Sequence, residues 1–213
     1  FYPFLDCRCI VNGRSPILPS PRFQEVQAEM ESYRHDKESL MLLHVARCHE
    51  QKNQQLLIEA VNACEQRNKE QGQRTMDLVI IGADYDTSLG QRLQLRAGER
   101  IRFIGTRTNV EDYMLCADLF CLSSLFEGMP ITLIEASLAG LPMVSTPVCG
   151  AVDIIKNGVN GYVSKDYSLP AYQTALMYAI NNYNKLKNQS LAMRDDNTYV
   201  VLSNTRSTFI YKL

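Results

Sequence analysis

Between Leu40 and Ser145 the chain alternates short, unbroken apolar runs with amphipathic stretches, and no other feature limits its possible folds as sharply. Leu40-Met41-Leu42-Leu43-His44-Val45-Ala46, Leu78-Val79-Ile80-Ile81, Ile101-Arg102-Phe103-Ile104 and Leu119-Phe120-Cys121-Leu122 are all of strand length, and Pro142-Met143-Val144-Ser145 opens a fifth. The lack of polar alternation marks strands covered on both faces. Between the first two runs, Leu56, Leu57, Ala60, Val61 and Cys64 share one helical face at i, i+3, i+4 spacing. Further helices are predicted over Ser88–Ala97, Val110–Cys116, Pro130 to Gly140, and Tyr172–Leu186. Tyr162-Val163, after the Gly158 and Gly161 turn, reads as a short edge strand. Strand followed by helix, repeated, predicts a Rossmann-like α/β domain: a doubly wound parallel sheet.

Such sheets bind ligands at the carboxyl ends of their strands. The informative polar residues fall there: Arg47 after the first run, Gly82 after the second, Gly105-Thr106 after the third, and Glu127 to Pro130 after the fourth. The alternation is confined to residues 40–187. Residues 1–39 carry Pro16, Pro19 and Pro21 in close succession, which predicts a looped connection followed by a short helix near Phe23–Tyr33. Residues 188–213 are polar and irregular until an aromatic-apolar end, and are expected to form a tail packed on the domain. The chain begins at Phe1, without methionine, and stops after Leu213, so it is expected to be cut from something longer.

Charge and cysteine content exclude several classes. Twenty-two basic and twenty-three acidic side chains leave a net charge of −1, which argues against a nucleic-acid binder relying on a broad basic field. No apolar run approaches the roughly 18 residues of a membrane span. The seven cysteines are odd in number and mostly sit in apolar segments, as expected of buried thiols in a reducing compartment. Cys7-Arg8-Cys9 lacks the spacing and the second pair of a zinc site, so no metal is expected. His35, His44 and His49 read as loop, strand and turn residues.

Phe126-Glu127-Gly128-Met129-Pro130-Ile131-Thr132-Leu133-Ile134-Glu135-Ala136 carries most of the chemical information. Pro130 suits a first helical position, where its missing N–H costs nothing. The helix then places Glu135 in its second turn among Ile131, Leu133, Ile134 and Leu138. An ionised carboxylate there is expensive unless paired or hydrogen-bonded. Free N–H groups at the helix start suit an anion, phosphate above all. One reading is a site for a phosphorylated, hydroxyl-rich ligand; the other is a glutamate that snorkels out of a core helix. Arg47 alone fits a surface salt bridge and Lys52 alone a solvated helix start, but the pair beside the other motifs favours a site.

With these residues in place, the chain resembles the C-terminal, donor-binding half of a GT-B retaining glycosyltransferase of family 4, also called group 1. The resemblance covers about residues 40–180. Glu127 and Glu135 match the family's E-x7-E element. Ala46-Arg47 with Lys52-Asn53 resembles its Gly-Arg…Lys-Gly turn, and Ile80-Ile81-Gly82 its strand ending in glycine. Val148-Cys149-Gly150 and Asn157-Gly158-Val159-Asn160-Gly161 resemble its glycine-rich turn and following loop, and Asn12-Gly13 the Asn-Gly after the interdomain connection. Glu127-Gly128-Met129-Pro130 stands where the family often has Glu-Gly-Phe-Gly, and Asp153 where it has a longer acid.

The resemblance implies a catalytic set of Glu127 beside the donor sugar and Arg47 and Lys52 on the pyrophosphate. Glu135 is implied to hold the ribose hydroxyls. Gly128, Met129 and Pro130 would bring backbone and helix dipole to the sugar-phosphate, Thr106 and Arg107 would flank the base mostly through backbone, and Gly82 would let the ligand approach. It also implies a nucleotide-diphosphate sugar as donor, no metal or other cofactor, and a separate N-terminal acceptor domain. A cytoplasmic enzyme is implied, with peripheral association of the whole protein at the inner membrane face. A nucleotide-sugar 2-epimerase-like enzyme and a non-catalytic nucleotide-binding or interaction domain are the alternatives. A dinucleotide fold is disfavoured, because Ala46-Arg47-Cys48-His49-Glu50 contains no G-x-G-x-x-G.

Overall fold

The computed structural model describes residues 16–195, so the expectations placed on Cys7, Cys9, Asn12-Gly13 and the stretch after 195 lie outside the described residues. The six strands are β1 (Leu40–Val45), β2 (Met76–Ile81), β3 (Ile101–Phe103), β4 (Leu119–Leu122), β5 (Met143–Ser145) and β6 (Gly161–Val163). All pair in parallel within one sheet, in the order β3-β2-β1-β4-β5-β6. This is the doubly wound arrangement anticipated from the unbroken apolar runs. The helices are α1 (Phe23–Ser32), α2 (Gln54–Gln71), α3 (Ser88–Arg96), α4 (Val110–Cys116), α5 (Ile131–Leu138), α6 (Ala151–Ile154), α7 (Leu169–Asn181) and α8 (Tyr183–Asp195).

Residue alternation along β1 shows why both faces are covered. Leu40 and Leu42 pack with Leu57, Ala60 and Val61 of α2 and Leu176 and Ala179 of α7. Met41 and Leu43 pack with Val26 of α1, Tyr113 of α4 and Leu133 of α5 on the opposite face. Each fully buried leucine contributes roughly 1.5–3 kcal/mol, so a two-faced core of this kind holds the sheet rigid beneath its loops.

Helix α1, expected near Phe23–Tyr33, docks on α4. Asp112 accepts from the Ser20 N–H at 2.9 Å and the Ser20 hydroxyl at 2.5 Å. Arg34 pairs with Asp118 at 2.8 Å. At the amino end of the sheet the buried Asp77 accepts from the His35 N–H and the Ser39 hydroxyl, with His35 Nδ1 2.6 Å away.

Two boundaries differ from the sequence reading. The helix expected over Tyr172–Leu186 is two helices, α7 and α8, separated at Asn182, whose φ −109° and ψ 15° are not helical. Helix α8 then runs across the expected 187/188 boundary to Asp195, so residues 188–195 are helical rather than irregular. Leu186 anchors α8 in the core, and Leu191 lies against Gly140 after α5. Among the described residues no helix is long and apolar enough to cross a membrane.

Candidate functional site

The strand order reverses between β1 and β4, so the connections leaving their carboxyl ends run to opposite faces and open a crevice. Arg47 and Lys52 follow β1, while Glu127 and the start of α5 follow β4. The four side chains given charged roles from sequence therefore come from the two strands that flank this switch point.

The loop after β1 is held by polar side chains. The Tyr85 hydroxyl donates to the Ala46 carbonyl at 3.2 Å, and Gln54 Nε2 donates to the Arg47 carbonyl at 2.9 Å. A 3-10 turn, Glu50–Lys52, follows, with His49 Nδ1 accepting from the Gln51 N–H at 3.2 Å. Asn53 then adopts a left-handed conformation, φ 47° and ψ 45°. Glycine or asparagine suits that conformation, which explains how Lys52-Asn53 can stand in for a Lys-Gly turn.

The β1 loop is stitched to the β4 loop. Ser123 Oγ donates to the Lys52 carbonyl at 2.8 Å, the Leu125 N–H to the Gln51 carbonyl at 2.8 Å, and Gln51 Nε2 to the Phe126 carbonyl at 2.8 Å. Across this seam Lys52 Nζ donates to Glu127 Oε1 at 2.6 Å. The buried Ser124 hydroxyl donates to the same oxygen at 2.8 Å, and Thr146 Oγ1 donates to the Ser124 carbonyl at 2.6 Å. The Lys52 and Glu127 side chains are 22% and 13% exposed, a shielding that strengthens their attraction relative to a surface pair. Ser123 and Ser124 were missed in the sequence. Two hydroxyls ending the apolar β4 run, at a strand's carboxyl end, were the signal.

Helix α5 begins one residue later than expected. Pro130 is its N-cap rather than its first helical residue, with φ −71° and an extended ψ of 108°. Its carbonyl accepts from the Leu133 N–H at 3.0 Å, so the N–H groups of Ile131 and Thr132 have no intrahelical acceptor, and the Pro130 side chain offers no cap. Glu135 lies in this helix at 7% exposure, among Leu133, Ile134 and Leu138. Gly150, with φ +79°, sits against the same turn: a Cβ there would lie 2.8 Å from the Gly128 carbonyl oxygen.

Other expectations are modified. A Cβ at Gly82 would fall 1.9 Å from the Ala46 carbonyl oxygen, so the close approach of the chain after β1 and β2 already requires glycine there. Lys52 is turned to Glu127, whereas Arg47 is exposed and has no ion pair among the described residues, so the two cations are not drawn together by a shared acid. The Arg107 guanidinium turns back to Glu29, Tyr113 and the carbonyls of Ile104 and Thr106 in its own loop after β3. Asp153 is exposed in the first turn of α6. No group of three potential metal-ligating side chains occurs among the described residues.

His44 is a buried titratable group on β1, close in sequence to this machinery. It is fully buried, and its Nδ1 lies 2.8 Å from the Cys121 carbonyl, while Nε2 has no partner. Desolvation first, and then the Lys52 charge, press its pKa down to about 4 despite the Cys121 bond. It is a neutral core imidazole.

A parallel sheet of this order, with opposed charges across its switch point and an uncapped helix beside them, defines an α/β domain of the Rossmann-like type found in GT-B glycosyltransferases. The family model described as glycosyl transferases group 1 matches residues 25–195, and the chain belongs to that family. It is 31% identical over 148 residues to the putative glycosyltransferase EpsF of Bacillus subtilis (strain 168), spanning 67% of this chain and 36% of EpsF. The Vi polysaccharide biosynthesis protein VipC/TviE of Salmonella typhi is 36% identical over 86 residues, 40% of this chain and 15% of that protein. Among solved structures, Anabaena Alr3699/HepE in complex with UDP and glucose superposes with a TM-score of 0.67 at 19% identity, over 83% of this chain and 48% of HepE. The chain thus spans about half the length of that structure, and its alignments span well under half of these two curated relatives.

Proposed function

We propose that this chain is the C-terminal, donor-binding half of a retaining family 4 glycosyltransferase. The whole enzyme would move a sugar from a nucleotide-diphosphate sugar to a hydroxyl of a saccharide or lipid-linked acceptor. The observation that carries the proposal is the Lys52–Glu127 pair, which closes the crevice between β1 and β4 at 2.6 Å. A pyrophosphate needs fixed cations as its charge grows on departure of the sugar, and such preorganised charges are often the largest single contribution to catalysis. In this reading Lys52 and Arg47 supply them, without a metal. Glu127 Oε1 is held by Lys52 and Ser124, leaving Oε2 for a sugar hydroxyl or for developing positive charge at the anomeric carbon.

Glu135, buried behind the turn, is assigned to the ribose hydroxyls, which a carboxylate oxygen can accept. Gly128, Met129 and Pro130 bring the backbone and the positive end of α5 toward the phosphate, and the loop containing Thr106 flanks the base. The acceptor would be bound by a further N-terminal domain of the whole protein. Cytoplasmic location and peripheral contact with the membrane's inner face belong to the same proposal.

Calorimetric titration of this chain with UDP, GDP and ADP tests it. Saturable binding of at least one nucleotide, weakened tenfold or more in Arg47→Ala and in Glu135→Gln at unchanged circular dichroism, is expected. A folded chain that binds none at millimolar concentration overturns the donor-site reading, as does binding indifferent to both substitutions. Since the chain alone lacks half of the expected cleft, donor binding without turnover is the expected behaviour.

A further inference from the structure

Gln51, in the turn that ends at Lys52, fastens the loop after β1 to two successive residues of the loop after β4. Its carbonyl accepts from the Leu125 N–H and its Nε2 donates to the Phe126 carbonyl, both at 2.8 Å. The turn it reaches from is itself held, since the Gln51 N–H donates to His49 Nδ1 at 3.2 Å. Gln51 is half-buried, so this clip is partly shielded from competing water.

Beyond the clip the chain has few ties of its own. The Phe126 ring is 64% exposed and offers little packing to fix its residue. Among the described residues, neither Glu127 nor Gly128 makes a backbone hydrogen bond. An added Cβ at Gly128 would meet nothing within 4 Å, and glycine has the widest choice of backbone conformations. Helical hydrogen bonding begins only at Pro130, whose carbonyl accepts from the Leu133 N–H. Lys52 and Ser124 hold the Glu127 carboxylate, but both grip the same oxygen, and neither side chain fixes the main chain that carries it.

We infer that Gln51 is a positioning residue: by holding the Phe126 carbonyl, its side-chain amide sets where Glu127 stands and keeps it in register with Lys52. Without that bond the stretch from Phe126 to Gly128 loses its nearest side-chain tether, and the two charges spend less time in contact. Attraction between charges falls with their separation. A group displaced by even an ångström loses much of its effect on a bound reactant. The consequence for a bound sugar rests on the donor-site reading above; the consequence for the Lys52–Glu127 pair does not.

Two variants remove the bond in different ways. Gln51→Met keeps the length without the donor, and Gln51→Asn keeps the amide but falls one methylene short. The first readout needs no ligand. Lys52 is 22% exposed and bound to Glu127, so its limited acetylation, followed by peptide mass spectrometry against the exposed Lys69, reports how closed the pair is. Both variants should raise the Lys52 rate roughly threefold or more, the scale of one neutral hydrogen bond, at unchanged circular dichroism. The second readout is the preference for nucleotide sugar over nucleotide. UDP-glucose against UDP, GDP-mannose against GDP and ADP-glucose against ADP are titrated calorimetrically into the 213-residue chain. In whichever pair binds, the variants should lower that preference about threefold, in the same direction as Glu127→Gln, with little change in nucleotide affinity. A purely structural role would weaken both ligands alike. An unchanged Lys52 rate, or equal weakening of both ligands, overturns the positioning role and leaves the donor site standing wherever Glu127→Gln still shifts the preference. A raised Lys52 rate with an unchanged preference overturns the link from Gln51 to the sugar. A raised rate in a folded chain that binds none of the six ligands supports the clip and overturns the donor-site reading instead.

Discussion

Lys52 and Glu127, 75 residues apart in sequence, meet at 2.6 Å across the point where the sheet reverses its strand order. The pair neutralises in advance the cation that the proposed pyrophosphate site needs, which gives the two residues opposite signatures. Lys52→Ala should weaken nucleoside-diphosphate binding at least tenfold, the effect of one charge-assisted contact of about 1.5–3 kcal/mol. Glu127→Gln should leave that binding equal or tighter, because Lys52 is freed for phosphate, yet reduce the preference for the nucleotide sugar over the nucleotide. Parallel titrations of both ligands against both variants measure this. Weakened diphosphate binding in Glu127→Gln would contradict the assignment.

Gly150 and Gly128 sit on either side of one contact and should respond differently to the same substitution. At Gly150 a Cβ would lie 2.8 Å from the Gly128 carbonyl oxygen and 3.0 Å from the Pro130 ring, on a backbone with φ +79°. Gly150→Ala should therefore destabilise the chain by roughly 1–3 kcal/mol through strain and displace the Gly128–Pro130 turn. At Gly128 nothing lies within 4 Å of an added Cβ, so Gly128→Ala should keep wild-type stability. Denaturant midpoints at unchanged slope decide it. If Gly128→Ala weakens nucleotide binding without affecting the midpoint, the open space there belongs to the ligand.

Among the described cysteines only Cys149 is exposed. Cys64 and Cys121 are buried, and desolvation raises their thiols to about 11 and about 12. Thiolate is the reactive form, so Cys149 should alkylate first among the described thiols at pH 8, as read by peptide mass spectrometry. Gly150 touches the Gly128–Pro130 turn, so bound nucleotide should slow alkylation of the neighbouring Cys149. A rate indifferent to saturating nucleotide would place the ligand elsewhere.

The fold was legible because it is written in local pattern: strand-length apolar runs without alternation, and helical faces between them. The elements that misled lack such a pattern. Asn181-Asn182 is a weaker helix-stop signal than Gly or Pro, so the turn between α7 and α8 was passed over. Glu127 and Glu135 announced themselves by spacing and by an acid in an apolar helix. Their partners did not: Lys52 reaches Glu127 only once β1 and β4 lie side by side, and the Ser124 contact, three residues away, depends on how the loop after β4 turns. At Gly82 the contact with the Ala46 carbonyl was hidden, because a strand-ending glycine looks alike whether its neighbour is substrate or backbone. Arg107 lies in the loop after β3, and the turn of its side chain toward Glu29, 78 residues away, is a tertiary fact that no local pattern announces.

His44 gives the core a titration that its neighbours cannot relieve. The imidazole is fully buried, Nε2 has no acceptor, and desolvation together with the Lys52 charge lowers its pKa from 6.5 to about 4. The unfolded chain therefore binds a proton near pH 6.5 that the folded chain refuses until about pH 4. Where the unfolded state holds more protons, stability rises with pH. This contribution is thus complete above pH 6.5 and is lost as the pH falls toward 4, amounting to on the order of 3 kcal/mol. His44→Gln removes the titrating group while keeping a donor for the Cys121 carbonyl. Urea unfolding of both proteins between pH 7 and pH 4.5 should show the wild type losing stability faster than the variant, whatever the variant's starting value. Parallel pH profiles would show that His44 is solvated or protonated in the folded chain, contrary to its burial.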